Sequence, residues 1–113
     1  MDATTHSLNI ELMRAAAGEA TAVLATLANE NRLLLLCQLS QGEKSVGELE
    51  ALLDLHQPSL SQQLGVLRSV GLVNTRRDGK RIHYSIADAR VLVLLRTLHA
   101  LYCPQDKDPH YDD

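Results

Sequence analysis

Residues 57–86, QPSLSQQLGVLRSVGLVNTRRDGKRIHYSI, hold most of the groups in this chain that suit recognition chemistry. Gln57, Ser59, Ser61, Gln62, Gln63 and Arg68 offer carboxamides, hydroxyls and a guanidinium at close spacing. Such groups hydrogen-bond to base edges in a DNA groove. A few positions on, Arg76, Arg77, Lys80 and Arg81 crowd around Asp78-Gly79, with His83 just beyond. Core packing does not ask for four cations at one turn, whereas DNA phosphates do. The total charge of −3 argues the other way until it is divided. Residues 57–86 hold five cations against one anion, so the remainder of the chain carries −7. An acidic body with one basic edge is what selective docking to a duplex requires.

The elements that position these groups follow from periodicity. Leu60, Leu64 and Leu67 recur at helical spacing, which predicts a helix over 58–70 with its polar residues largely off the apolar stripe. Pro58 suits its first turn. Ser45 with Glu48 three residues later predicts a capping box, opening a helix over 45–53 that buries Val46, Leu49, Leu52 and Leu53. Leu72–Arg77 and Lys80–Ile86 read as strands, with Ile82, Tyr84 and Ile86 on one face. Asp78-Gly79 between them predicts a type I′ turn, in which both central residues take positive φ. Upstream, Asn9 is expected to cap a helix that Gly18 separates from a second one over about 19–28. Asn29 or Asn31 then caps the buried run Arg32–Leu39. Asp88 caps a last helix over Val91–Tyr102, stopped by Pro104. The expected fold is mainly α with a two-stranded β-hairpin wing, a winged helix-turn-helix.

Composition sets the frame. At 113 residues, 45% of them hydrophobic and only 3% aromatic, the chain suits one domain with an aliphatic core. The expected layout is a flexible N-terminus over 1–8, the DNA-binding and dimerisation domain over 9–103, and a flexible acidic tail over 104–113. No apolar run approaches the ~18 residues of a membrane span, and residues 1–8 lack a signal peptide's pattern. A cytoplasmic protein without a membrane partner is expected. The last helix is apolar over more than the ~100° that one core can bury. Its outer face calls for a second copy, with Leu12, Met13, Leu94, Leu95, Leu98 and Leu101 as the expected homodimer interface. Two recognition helices then imply a roughly palindromic double-stranded DNA operator.

Several segments together resemble the ArsR/SmtB repressors: Leu27-Ala28-Asn29-Glu30-Asn31-Arg32-Leu33, Ser45-Val46-Gly47-Glu48-Leu49, Ser59-Leu60-Ser61-Gln62-Gln63-Leu64, Leu67-Arg68 and Gly71-Leu72-Val73 before the Arg-rich hairpin. The resemblance covers about 20–102 and implies a homodimeric winged-helix repressor released from its operator by an inducer. Many members carry His where Gln63 stands. Metal sensing in that family needs ligands that this chain lacks, so no metal or cofactor is expected. Val46, Gly47 and Leu49 occupy the region where arsenic, cadmium or lead sensors place cysteines, and around the last helix only Asp88 fits a zinc-type set, against Arg90, Leu101 and Pro104. Cys37 and Cys103 resemble the pair of the thiol-based branch, the repressors of biofilm-growth and haemolysin-regulator type. That likeness implies a redox sensor in which a disulfide or polysulfide joins the two in response to reactive sulfur species or oxidants.

Plainer roles compete at each position. A cysteine in LLLLCQL can simply fill space, and a helix C-terminus disfavours a thiolate at Cys103. His99 one turn earlier can cap or pack, His56 can cap or solvate, and His83 can be a solvated neighbour of Tyr84. Arg32 suits an ion pair with Glu30 or Glu48 more than a DNA contact. Three functions stay open: a repressor with a cysteine switch, an ArsR-type repressor with structural cysteines and another or no inducer, and a winged-helix protein-interaction module without DNA binding. An enzyme is not expected, since no nucleophile–base–orienter set, phosphate-cradling glycine loop or close CxxC pair is present.

Overall fold

A computed structural model describes residues 3–103, in the order α1 (Ala3–Leu27), α2 (Glu30–Leu39), β1 (Lys44–Ser45), α3 (Val46–Leu53), α4 (Gln57–Ser69), β2 (Val73–Asp78), β3 (Arg81–Ile86) and α5 (Ala89–Tyr102). The expected acidic tail lies outside the described residues, as do residues 1 and 2 of the expected N-terminal segment. Residues 3–8 join α1, so Asn9 sits inside a helix rather than at its cap. Gly18 does not break that helix either. A glycine inside a helix costs only about 1 kcal/mol relative to alanine, and the alanines around it offset that.

The other helix boundaries follow local chemistry. The Asn29 side chain accepts from the Arg32 amide at 3.0 Å and starts α2. Ser45 and Glu48 form the full capping box at α3, with Glu48 accepting from the Ser45 amide at 2.7 Å. Asp54 closes α3 in the left-handed region at φ 54°, and α4 begins three residues later with Pro58 in its first turn. Gly71 at φ 80° ends α4 in a Schellman arrangement: the Leu72 amide donates to Leu67 O and the Gly71 amide to Arg68 O. Asp88 caps α5 by accepting from the Arg90 amide.

The core is a leucine seam. Leu35 and Leu36 of α2, Leu49 of α3, and Leu60, Leu64 and Leu67 of α4 are at most 1% exposed, joined by Leu27, Leu39, Leu72, Val73, Val91 and Leu95. Of the apolar residues expected inside α3, Leu52 instead faces out, because the eight-residue helix has one face against α2 and α4. Along α1 the side chains from Asn9 to Ala22 are exposed, and burial starts only at Thr26 and Leu27.

Two details of the wing differ from the hairpin expected. The sheet has three strands in the order β1-β3-β2, because Lys44 and Ser45 pair with Tyr84 and His83. The turn is shifted by one residue: Asp78 pairs with Arg81, so Gly79-Lys80 form the loop, and of the two only Gly79 has positive φ. That is the sign pattern of type II′, which requires glycine at the first central position and lets Asp78 remain in the strand.

Replacing Leu64, 1% exposed within the leucine core, by alanine should destabilise the fold by about 2–5 kcal/mol, the lost burial plus the cavity left behind. Urea unfolding monitored by circular dichroism measures this; a loss under about 1 kcal/mol would mean the seam is loosely packed.

Candidate nucleic-acid interface

α4 presents two kinds of outward residue. Leu60, Leu64 and Leu67 take the inner face, so Gln57, Ser61, Gln62 and Arg68 are exposed while Ser59 and Gln63 lie half-buried on the flanks. His56 takes the N-cap position without a side-chain capping bond. Between the start of α3, the start of α4 and the wing runs an open cleft of about 650 Å³, bordered by Gln57, Glu48, Ala51, Lys80, Arg81 and Ile82. The first residue of the recognition helix and two wing cations therefore share one concave edge.

The four wing cations do not stand alike. Arg77, Lys80 and Arg81 are exposed. Arg76 is also exposed but holds Glu43 in a forked pair, with Nε to Oε2 at 3.0 Å and Nη2 to Oε1 at 2.7 Å. Arg76 keeps the Glu43 carboxyl below its ordinary range. The pair thus forms at any pH above that range and is lost only as acid titrates Glu43 through its lowered pKa. His83 is half-buried, and its Nε2 is buried without a hydrogen-bond partner among the described residues. Cross-strand pairing places it between Ser45 and Arg76, within electrostatic reach of Glu43 and Glu48. The sequence hid both facts, because β1 and the residue before it lie more than thirty positions from the hairpin residues they meet.

Arg32 also differs from expectation. It pairs with neither Glu30 nor Glu48; Nε donates to Thr26 O at 2.7 Å and Nη1 to Gln63 Oε1 at 3.1 Å. Gln63 is therefore engaged on its oxygen side. Asp88, the one residue fitting a zinc-type set, spends its carboxylate on Arg90, which donates from Nε at 3.1 Å and Nη2 at 2.9 Å. That neighbour lowers the Asp88 pKa and leaves a guanidinium where a ligand would be needed.

The apolar outer residues split as well. Leu12, Met13, Leu94 and Leu101 are exposed and Leu98 is half-buried, whereas Leu95 is 2% exposed and belongs to the chain's own core beside Val91. The 91/95 stripe faces inward and the 94/98/101 stripe lies beside it, at helical spacing in each case.

Cys37 is half-buried on α2 and packs against the core; Cys103 is exposed at the C-cap of α5, its amide donating to His99 O. Both hold thiols rather than a mutual disulfide. Burial pushes the Cys37 thiol above its ordinary 9.0, and the charge of Cys103 pushes it further, so the two sulfurs lie within electrostatic reach.

A recognition helix flanked by a shorter helix and a basic three-stranded wing defines a winged helix-turn-helix DNA-binding protein. No helix of the described residues is long and apolar enough to cross a membrane. The family model for bacterial regulatory proteins of the arsR family matches residues 29–75. A biofilm growth-associated repressor from Agrobacterium fabrum is 50% identical over 96 residues, covering 85% of this chain and 82% of that protein. Among solved structures, the transcriptional repressor BigR from Xylella fastidiosa shares 46% identity at a TM-score of 0.79, over 84% of this chain and 97% of that one. Reduced HlyU from Vibrio cholerae shares 41% at a TM-score of 0.79, over 83% and 99%. The chain belongs to the arsR family and is a transcriptional regulator rather than an enzyme.

Alkylation of Cys37 in a Cys103→Ser protein should be slow, with its pH–rate midpoint above 9.0, since burial acts without the second sulfur. Iodoacetamide labelling followed by mass spectrometry reads it, and a midpoint at or below 9.0 would contradict a sheltered thiol.

Proposed function

We propose that the protein is a homodimeric transcriptional repressor that lets go of a roughly palindromic operator when Cys37 and Cys103 become linked. The observation carrying the DNA-binding part is the shared edge of α4 and the wing, where Gln57 meets Lys80 and Arg81 around one cleft. Ser59, Ser61, Gln62, Gln63 and Arg68 read bases from α4, while Arg77, Lys80 and Arg81 neutralise phosphates. The names of the relatives from Agrobacterium and Xylella support repression.

Pairing of two chains is supported by α1 and α5. Leu12, Met13, Leu94 and Leu101 are exposed apolar residues on helices that have no further protein to cover them in one protomer. A two-fold dimer buries such a face against itself and sets two recognition helices ~34 Å apart, one turn of DNA.

The switch is supported by the electrostatic contact between the two sulfurs and by a relative solved explicitly in a reduced form. Chemically, one cysteine thiolate attacks the outer sulfur of a persulfide RSSH, taking that sulfur and releasing RSH. The second thiolate then attacks the inner sulfur of the resulting cysteine persulfide, forming the Cys37–Cys103 bond and releasing hydrogen sulfide. Peroxide reaches the same disulfide by taking two electrons and two protons to give water; alternatively the cysteine persulfide takes the outer sulfur of a second RSSH, releasing RSH, so that the later attack of the other thiolate closes a longer bridge and still releases hydrogen sulfide. A disulfide requires Cα atoms within about 4.4–6.8 Å, so the link either moves α5 against α2 or inserts sulfur. Either change strains the frame that spaces the recognition helices.

Two measurements test this. Intact mass and duplex affinity of reduced, peroxide-treated and persulfide-treated protein should show an intrachain crosslink together with about 5–150-fold weaker binding, corresponding to a coupling of ~1–3 kcal/mol. Cys37→Ser and Cys103→Ser should each abolish the response; an unchanged response would make the cysteines structural. Salt titration tests the DNA contact: Lys80→Ala should weaken binding to every sequence and flatten the salt slope by about one, while Glu43→Gln should steepen it by loosening Arg76. Binding to duplex that ignores salt would favour a protein-interaction module.

A further inference from the structure

Arg32 joins three elements at one guanidinium. From the start of α2 it donates Nε to Thr26 O, a carbonyl in the last turn of α1, and Nη1 to Gln63 Oε1 on α4. A last-turn carbonyl has no partner within its own helix, and a cation there also suits the helix dipole, so the Thr26 bond anchors the guanidinium. Its orientation then decides what Gln63 can show.

A guanidinium carries hydrogen-bond donors and no acceptor. The atom of the Gln63 carboxamide that faces Arg32 must therefore be the oxygen, and the amino group must occupy the opposite side. Gln63 is half-buried on α4, next in sequence to the exposed Gln62, and the side of its amide away from Arg32 is the one left for a base. Glutamine ordinarily recognises adenine with both ends of the amide, donating to N7 and accepting from the N6 amino group. With its oxygen held by Arg32, Gln63 turns its amino group, a donor, away from Arg32, and the two-ended pairing with adenine is lost. Guanine offers N7 and O6 side by side as two acceptors, whereas adenine sets an amino group that a donor repels beside its one acceptor N7, cytosine presents an amino group, and thymine offers the single acceptor O4.

We infer that the contact from Arg32 to Gln63 makes Gln63 a donor-only, specificity-determining residue that selects guanine over adenine at one position of each half-site. Arg32 is a positioning residue: it touches no base and acts by fixing the carboxamide. Because it is also bonded to α1, any displacement of that helix end relative to α4 changes the hydrogen-bonding face that Gln63 displays. The inference rests on the DNA-binding reading above and adds the base class.

The test is selection from a pool of randomised duplexes with the full chain, its Gln63→Glu variant and its Arg32→Met variant, each checked for folding by circular dichroism. Wild type should enrich one guanine per half-site that responds to Gln63. Gln63→Glu keeps an oxygen for Arg32 but turns an acceptor outward, so it should lose that guanine by about fivefold or more and gain cytosine or adenine there. Arg32→Met should free the carboxamide to rotate and admit adenine at the same position. If Arg32→Met does not fold, the glutamate variant decides. The proposal is overturned if Gln63→Glu enriches the same bases as wild type, or if wild type prefers adenine at the position that responds to Gln63. Wild-type protein that enriches no sequence and binds duplex without salt dependence would instead overturn the DNA-binding reading, and this proposal with it.

Discussion

The contact between α2 and α4 through Leu35, Leu36, Leu60, Leu64 and Leu67 is the constraint on which the reading face depends. Burying a leucine is worth about 1.5–3 kcal/mol relative to leaving it exposed. Rolling α4 by even one position would expose part of that stripe, so the seam holds the helix at one rotation. The outward rank of Ser61, Gln62 and Arg68 is then fixed without any bond of its own. The capping box of α3 and the left-handed Asp54 set where α4 starts, and the Schellman turn at Gly71 sets where the chain leaves it for the wing. Arg32 ties the end of α1 to α4 by donating to both Thr26 O and Gln63 Oε1.

Much of this was legible in the sequence because it is local. Capping at Asn29, Ser45 and Asp88 depends on residues within three positions, and the leucine stripe of α4 on residues within seven. What could not be read from spacing is what the tertiary fold brings together. β1 is two residues long and becomes a strand only because β3 lies beside it. Glu43 meets Arg76 across thirty-three positions, and Arg32 meets Gln63 across thirty-one. The sequence points Leu95 outward because the whole last helix is apolar; its pairing with Val91 at helical spacing is what turns it inward. Gly18 misleads for the opposite reason, since its weak local signal is overridden by the alanines around it.

The wing shows how charge count and available charge differ. Four arginines and lysines surround the turn, yet one of them already has a carboxylate partner, and the ring of His83 beyond them is half-buried with its Nε2 out of solvent. The Arg76 and Glu43 side chains are 55% and 35% exposed, so solvent screens their pair and it adds little to stability. It has a different consequence: a phosphate would have to displace a carboxylate to engage Arg76, which lowers attraction for DNA of any sequence while leaving the base contacts proposed for α4 untouched.

α1 extends about 37 Å at 1.5 Å per residue, and the protomer's own core touches only its C-terminal end. Most helical stability in proteins comes from a packed face rather than from propensity, and the protomer's own core supplies such a face only near the end of α1. In the assembly proposed above, folding of that rod and capture of a second chain become a single thermodynamic event. Copy number then enters the equation of state: a cell holding few molecules keeps a smaller fraction of them intact, and the abundance of the regulator becomes one of the variables controlling its own persistence.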